Sequence, residues 1–225
     1  MSKHFQKELE KLKKQLLHLG AMVEERVRMA KKAIETLSAD LAQEIVNSDY
    51  EIDEAEMNIE EECLKIIALY QPVAVDLRFL SAVIKINNDL ERIGDEAVNI
   101  AERILILSKR PRLDIPFDYS IMADKTEALL KTSLDSVVNM DLDMAVKVCV
   151  SDDEIDDYQN RAYDVIKLAI EANPDRVGFL VNHLLISRHL ERIADHATNI
   201  AEEVVYMVEG EIVRHGRLEE AGDAG

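Results

Sequence analysis

Fourteen residues of this chain return almost unchanged one hundred positions later. Asp89-Leu90-Glu91-Arg92-Ile93-Gly94-Asp95-Glu96-Ala97-Val98-Asn99-Ile100-Ala101-Glu102 recurs as His189-Leu190-Glu191-Arg192-Ile193-Ala194-Asp195-His196-Ala197-Thr198-Asn199-Ile200-Ala201-Glu202, with ten of the fourteen positions identical. A duplication of this kind requires an architecture that can be built twice. The likeness extends further. Asp49-Tyr50-Glu51-Ile52-Asp53 answers Asp152-Asp153-Glu154-Ile155-Asp156, Gln71-Pro72 answers Asn173-Pro174, and Phe79-Leu80 answers Phe179-Leu180. The offset falls from 103 to 102 to 100 along the chain, as short deletions in connecting loops produce.

Each copy reads as helix. Apolar residues recur near i, i+3, i+4 and i+7 through almost the whole sequence. Aromatic residues are only 4% of it, with 7 Gly and 4 Pro, a mixture that favours long helices over sheets. Breakers divide the pattern into six helices: 3–37, 41–70, 73–107, 119–139, 142–172 and 175–209. Ser38-Ala39-Asp40 forms a capped turn, and residues before Pro72 and Pro174 leave the α region. Lys109 to Pro116 is the linker. The expected fold class is all-α: two tandem similar three-helix bundles of long antiparallel helices, at 1–110 and 117–213, with a disordered tail over 214–225. A pseudo-twofold and a simple screw between the bundles both remain open.

The net charge of −18 sets the chain against nucleic acid and anionic lipid. No run approaches the ~18 apolar residues that span a bilayer, and no signal core follows Met1, so a cytoplasmic protein is expected. Cys63 and Cys149, both in apolar helical surroundings, are expected to be buried small side chains and not a disulfide.

The polar residues of the repeat carry the chemistry. Residues four apart share one helix face. Asp49 and Asp53, Glu91 and Asp95, Asp152 and Asp156, and Glu191 and Asp195 are four such acidic pairs. Each costs its helix roughly 0.2–0.5 kcal/mol. No Lys or Arg stands three or four residues from the first or third pair. On the other two, Arg92 can reach Asp95, Arg192 can reach Asp195, and Arg188 can reach Glu191. The pairs also match in height. Asp53 lies 19 residues before Pro72 and Glu91 lies 19 after it; Asp156 lies 18 before Pro174 and Glu191 lies 17 after it. Antiparallel neighbours therefore bring two acidic levels together in each half. A solvated acidic face is the plain reading of one such pair. Matched levels in both halves point to bound cations, with iron or manganese favoured on helix-borne carboxylates and zinc also suited. Asn99 and Asn199 could extend the sites or bond between helices. His189 and His196 flank only the second motif, as ligands or as surface histidines.

Other chemistries find little support. No Glu has His three residues on, which excludes the ferritin-like di-iron pattern. There is no Gly-rich phosphate loop, no paired nucleophile and base, and no thiolate cluster.

The doubled Glu91-Arg92-Ile93-Gly94-Asp95 and Glu191-Arg192-Ile193-Ala194-Asp195 resemble the PhoU family of phosphate-uptake regulators. His4-Phe5 with Glu8-Leu9, Gln71-Pro72 with Asp76-Leu77-Arg78, and Asn99 and Asn199 support the likeness, which covers residues 1 to about 210. The resemblance implies two three-helix bundles and multinuclear iron or zinc clusters. Their ligands would be Asp49, Asp53, Glu91 and Asp95, and Asp152, Asp156, Glu191 and Asp195. It also implies no catalytic activity and a cytoplasmic homodimer peripheral to the membrane only through proteins. That dimer would act between the ATPase subunit of the phosphate ABC transporter and a sensor histidine kinase, repressing starvation signalling when phosphate is plentiful; a metal-dependent phosphate-handling enzyme and a metal-free helical scaffold are the alternatives to such a regulator. Asp175-Arg176-Val177-Gly178 departs from the first-half pattern, so any role of Asp76 and Arg78 exists once.

Overall fold

The computed structural model describes residues 3–111, 113, 115, 117–151 and 153–210. The first repeat is built from α1 (Lys3–Thr36), α2 (Ala39–Asn47), α3 (Tyr50–Tyr70) and α4 (Val75–Leu107). The second comprises α5 (Tyr119–Asn139), α6 (Leu142–Ser151), α7 (Asp153–Ala172) and α8 (Val177–Glu209), with a 3-10 turn at Pro174–Arg176. The structure is all-helical, and six long rods account for it. The second rod, expected to be continuous, is broken once, at Ser48-Asp49, while α6 and α7 together span the expected fifth rod on either side of Asp152. The tail over 214–225 and Asp152 lie outside the described residues.

The break at Ser48-Asp49 has a visible cause. Asn47, Ser48 and Asp49 are poor helix-interior residues whose side chains compete for backbone groups. Ser48 Oγ donates to the Glu44 carbonyl at 2.6 Å. The buried Arg26 of α1 then bonds Ser48 Oγ, donates to the Ser48 carbonyl at 3.3 Å, and reaches Glu51 Oε2 at 3.2 Å. Helix boundaries shift elsewhere for similar local reasons. Ser38 caps α2 by accepting from the Leu41 amide at 3.3 Å, so Ala39 and Asp40 are already helical. The α3–α4 turn holds Gln71 at φ 47° and Ala74 at φ 50°, which delays α4 to Val75.

Each repeat packs its rods around the third one, α4 or α8. Leu80, Val83, Ile86, Leu90, Ile93, Ala97, Ile100 and Ile104 line the buried stripe of α4. Ile186, Leu190, Ile193, Ala197, Ile200 and Val204 do so on α8. Each large aliphatic side chain so buried contributes roughly 1.5–3 kcal/mol. Equivalent helices of the two repeats meet, α4 against α8 and α1 against α5. Across the latter seam, Lys31 holds Asp124 and, at 2.8 Å, Glu127. The α4–α8 seam carries crosswise pairs: Asp89 with His196 at 2.8 Å and Glu96 with His189 at 2.6 Å. Position 89 corresponds to 189 and position 96 to 196, so each position meets the other's counterpart. A pseudo-twofold produces this exchange, whereas a screw does not.

Cys63 is buried and Cys149 partly buried, and neither forms a disulfide. Burial pushes the Cys63 thiol up to about 12. Among the described residues, no helix is long and apolar enough to cross a membrane.

Candidate metal centre

In the first repeat the α2–α3 break sets Asp49 at the corner and Asp53 one turn along α3. The Asp49 backbone accepts from the Ile52 amide at 2.9 Å, while its carboxylate makes no capping bond. Between these two acids stands Ile52, and between Glu91 and Asp95 on α4 stands Gly94. A Cβ on Gly94 would lie 3.0 Å from Ile52 Cδ1. The missing side chain thus lets α3 and α4 approach at the acidic level, which places both pairs on the two sides of one contact.

The titration behaviour of these groups reflects that approach. Burial first, then the Asp53 and Asp95 charges, push the Asp49 carboxyl above the usual range, against a smaller pull from Arg26. Burial and then Asp95 raise Glu91; Arg92 opposes, and Asp53 and Glu56 add to the rise. Burial also raises Asp95, with Arg92 opposing and Asp53 and Glu96 contributing. Glu91 Oε2 is buried and has the Arg92 Nε at 3.6 Å, too long for a hydrogen bond. Partly desolvated carboxylates on two helices therefore repel one another with little neutralisation from the protein.

In the second repeat, Asp156 of α7 and Glu191 and Asp195 of α8 each present an oxygen within 4.8 Å of the other two. Burial and then Asp153 and Asp157 raise the Asp156 carboxyl. Burial and then Asp156 raise Asp195, against His196 and Arg192. An ion held by carboxylates at roughly 2.0–2.2 Å sets its ligand oxygens about 3 Å apart, within reach of side-chain rotation from this spacing. The group contains oxygen donors alone, which fits hard or borderline cations. The fourth expected ligand, Asp152, lies outside the described residues.

Comparison with known proteins assigns the chain. Residues 16–104 and 119–204 each match the PhoU domain. The chain belongs to the PhoU family. A phosphate-specific transport system accessory protein PhoU homolog of Aquifex aeolicus is 37% identical over 217 residues, covering 96% of this chain and 98% of the relative. The homolog from Pseudomonas aeruginosa is 36% identical over 219 residues, 96% of this chain and 89% of the relative. The crystal structure of PhoU from Pseudomonas aeruginosa superposes with a TM-score of 0.88 at 35% identity, covering 92% of this chain and all (100%) of that one. The phosphate transport system regulatory protein PhoU from Streptococcus pneumoniae gives 0.83 at 30% identity, over 94% and 100%. PhoU proteins are accessory and regulatory proteins, a non-enzymatic family.

Within this PhoU fold several polar residues of the repeat pair at or near the seam between the repeats, and Asn199 makes one of the interhelical bonds that the sequence left open. His189 and His196 are half-buried partners of Glu96 and Asp89. Asn199 Nδ2 donates to Asp89 Oδ1 at 3.2 Å, and Asn99 Nδ2 reaches Glu96 Oε2 at 3.4 Å. Arg192 gives its Nε to Glu96 at 2.9 Å, across the repeats, and not to Asp195. Glu96, only 3% exposed, is thereby held ionised: burial opposes this, but His189, Arg192 and Asn99 together bring its carboxyl below the usual range. Arg26, Asp89 and Glu96 escaped sequence reasoning. The signal for the last two was present, since acids at 89 and 96 face histidines at 189 and 196 in the aligned copies.

Proposed function

We propose that this chain is a cytoplasmic regulator of phosphate uptake. In this reading it links the phosphate ABC transporter, through its ATPase subunit, to a sensor histidine kinase and restrains starvation signalling when phosphate is plentiful. It acts as a homodimer of two-repeat chains, with repeat limits at 1–110 and 117–213. Asp49, Asp53, Glu91 and Asp95 hold one multinuclear iron or zinc cluster, and Asp152, Asp156, Glu191 and Asp195 hold the other. The relatives' description as accessory and regulatory proteins of a phosphate transport system supports the regulatory role.

One observation carries the metal reading. Carboxyls at matched levels in both repeats are raised by burial and by one another. A bound cation would supply the charge compensation that the protein's own side chains leave incomplete. The helices contribute the rest: α3 and α4, or α7 and α8, hold the acids at fixed heights and shield them in part from water. Bound metal would tie two rods of a repeat together at the acidic level. The regulatory reading is tested in a strain lacking its own PhoU protein and carrying a starvation reporter. The chain is expected to restore repression at high phosphate and to retain the ATPase subunit and kinase in pull-downs. An unrepressed reporter with no retained partner would refute it.

A further inference from the structure

The duplication allows each buried position to be compared with its counterpart in the other repeat. Buried positions of α5 fall 103 residues after those of α1: Met122 answers Leu19, Thr126 answers Val23 and Leu130 answers Val27. At the same offset Tyr119 answers Leu16, and at the offset of 100 that relates α8 to α4, His183 answers Val83. Leu16 and Val83 are buried aliphatic residues that need no polar partner. Tyr119, only 8% exposed, and His183 carry polar atoms that do need one. The phenol oxygen of the first and both ring nitrogens of the second are shielded from water, and none has a hydrogen-bond partner among the described residues. The two rings stand 5.3 Å apart, with Phe117 packed on Tyr119 at 4.7 Å and Phe179 on His183 at 4.8 Å. Burial pushes the phenol above its usual range and the imidazole down to about 4, so both are neutral near pH 7 and each can donate and accept. The first repeat builds the same places from Leu and Val, so the architecture does not require two orphaned polar groups, whose burial costs stability. Orphans of this kind call for an explanation outside the fold's own packing.

An open cavity of about 450 Å³ stands beside them, and Tyr119 and His183 both line it. Its walls come from both repeats. Ile34 near the end of α1, Leu37 just beyond that helix, Ile104 on α4 and Ile186 on α8 make them aliphatic. Its rim is acidic, since Glu35 and Asp118 are exposed and no Lys or Arg lines the cavity among the described residues. Size and lining, apolar walls with a few convergent polar groups, are those of a small-molecule site. We propose that this cavity between the repeats binds a small organic amine that has an apolar body and a hydroxyl group. The ammonium sits at Glu35 and Asp118, the body lies against the four aliphatic side chains, and the hydroxyl bonds Tyr119 and His183. Side-chain rotation, common on binding, opens the polar atoms of these two residues to it. The acidic rim turns away anions, phosphate included.

The probe is tyramine, titrated at pH 7 into the full chain with nitrogen-15 in its histidines. Of the six histidines, His183 alone is expected to shift, with a Kd below about 1 mM. Phenethylamine, which lacks the hydroxyl, and para-ethylphenol, which lacks the ammonium, should each bind about tenfold more weakly. Hydroxyphenylpropionate and inorganic phosphate should leave the His183 signal unmoved. Asp118 also caps α5 through Ser120, so Glu35→Gln is the rim variant that leaves the fold alone; it should weaken tyramine about threefold. Tyr119→Leu/His183→Val installs the first repeat's own residue types, and it should keep the helical circular dichroism and lose tyramine binding in calorimetry. Absence of a His183 shift, any analogue binding as tightly as tyramine, an unaltered affinity in Glu35→Gln, or binding retained by the double variant overturns the assignment. Should the double variant unfold, the analogue series and Glu35→Gln still decide.

Discussion

Asp195→Asn should stabilise the metal-free chain while weakening its response to metal. Asp195, Asp156 and Glu191 present oxygens within 4.8 Å of one another. Two like charges at that separation repel by roughly 1 kcal/mol in a water-like dielectric, and by more where protein displaces water. Salt at physiological strength reduces this for such exposed groups. The substitution removes two repulsive pairs and gives up attraction to His196 and Arg192. The carboxyl nevertheless sits above its usual range, so its surroundings on balance disfavour the charge. A gain of about 1 kcal/mol in the metal-free chain follows, or about 2–4 °C in Tm for a chain of this size. With metal the sign reverses. A cation at a hundredfold excess over its Kd stabilises the native state by about 2.7 kcal/mol, and the variant forfeits most of this for its repeat. Thermal unfolding in chelator and in graded manganese, iron(II) or zinc measures both effects. A metal-free variant less stable than the parent, or an unaltered metal-induced shift, would refute the electrostatic reasoning.

Ala74→Gly should raise stability by about 1 kcal/mol or more, because glycine adopts φ 50°, ψ −117° without strain; a lower urea midpoint would contradict this. Glu96→Ala should cost about 3 kcal/mol, since it leaves His189 and Arg192 facing each other at the repeat seam without their carboxylate. A loss below about 0.5 kcal/mol in urea titration would show that the seam does not depend on this group. His183 is largely buried, with no hydrogen-bond partner for either ring nitrogen, and burial lowers its pKa to about 4 from 6.5. The unfolded chain therefore binds the proton first. The stability contribution of neutral His183 is fully present above pH 6.5 and is lost as pH falls toward 4, by up to about 3 kcal/mol. His183→Phe should grow more stable relative to the parent over that window, and a difference independent of pH would count against burial as the cause.

The repeat, the helical periodicity and the two proline-marked turns made the rods and their pairing legible before any coordinates. Counting residues from Pro72 brought Asp53 level with Glu91. Sequence could not show the Gly94–Ile52 contact that brings their helices close, because it depends on how the faces rotate. The break at Ser48-Asp49 was half visible. Asn47-Ser48-Asp49 is weak helix sequence, but the guanidinium that fixes the corner comes from Arg26, 22 residues away on another rod. Apolar spacing runs through the break undisturbed, so periodicity alone predicts a continuous helix. The histidines were misplaced for a similar reason. Their partners lie on the other repeat, 93 and 107 residues distant, and only docking about the pseudo-twofold brings acid to imidazole.

The account turns on cations bridging the acidic levels of neighbouring rods in both copies. Anomalous scattering at the iron, manganese and zinc edges, from crystals of the chain purified without chelator, tests this most directly. The expected maps carry metal peaks between Asp156, Glu191 and Asp195, and between the Asp49/Asp53 and Glu91/Asp95 levels. Maps without anomalous density at either place, from protein shown by elemental analysis to contain metal, would put the ions elsewhere and contradict the account.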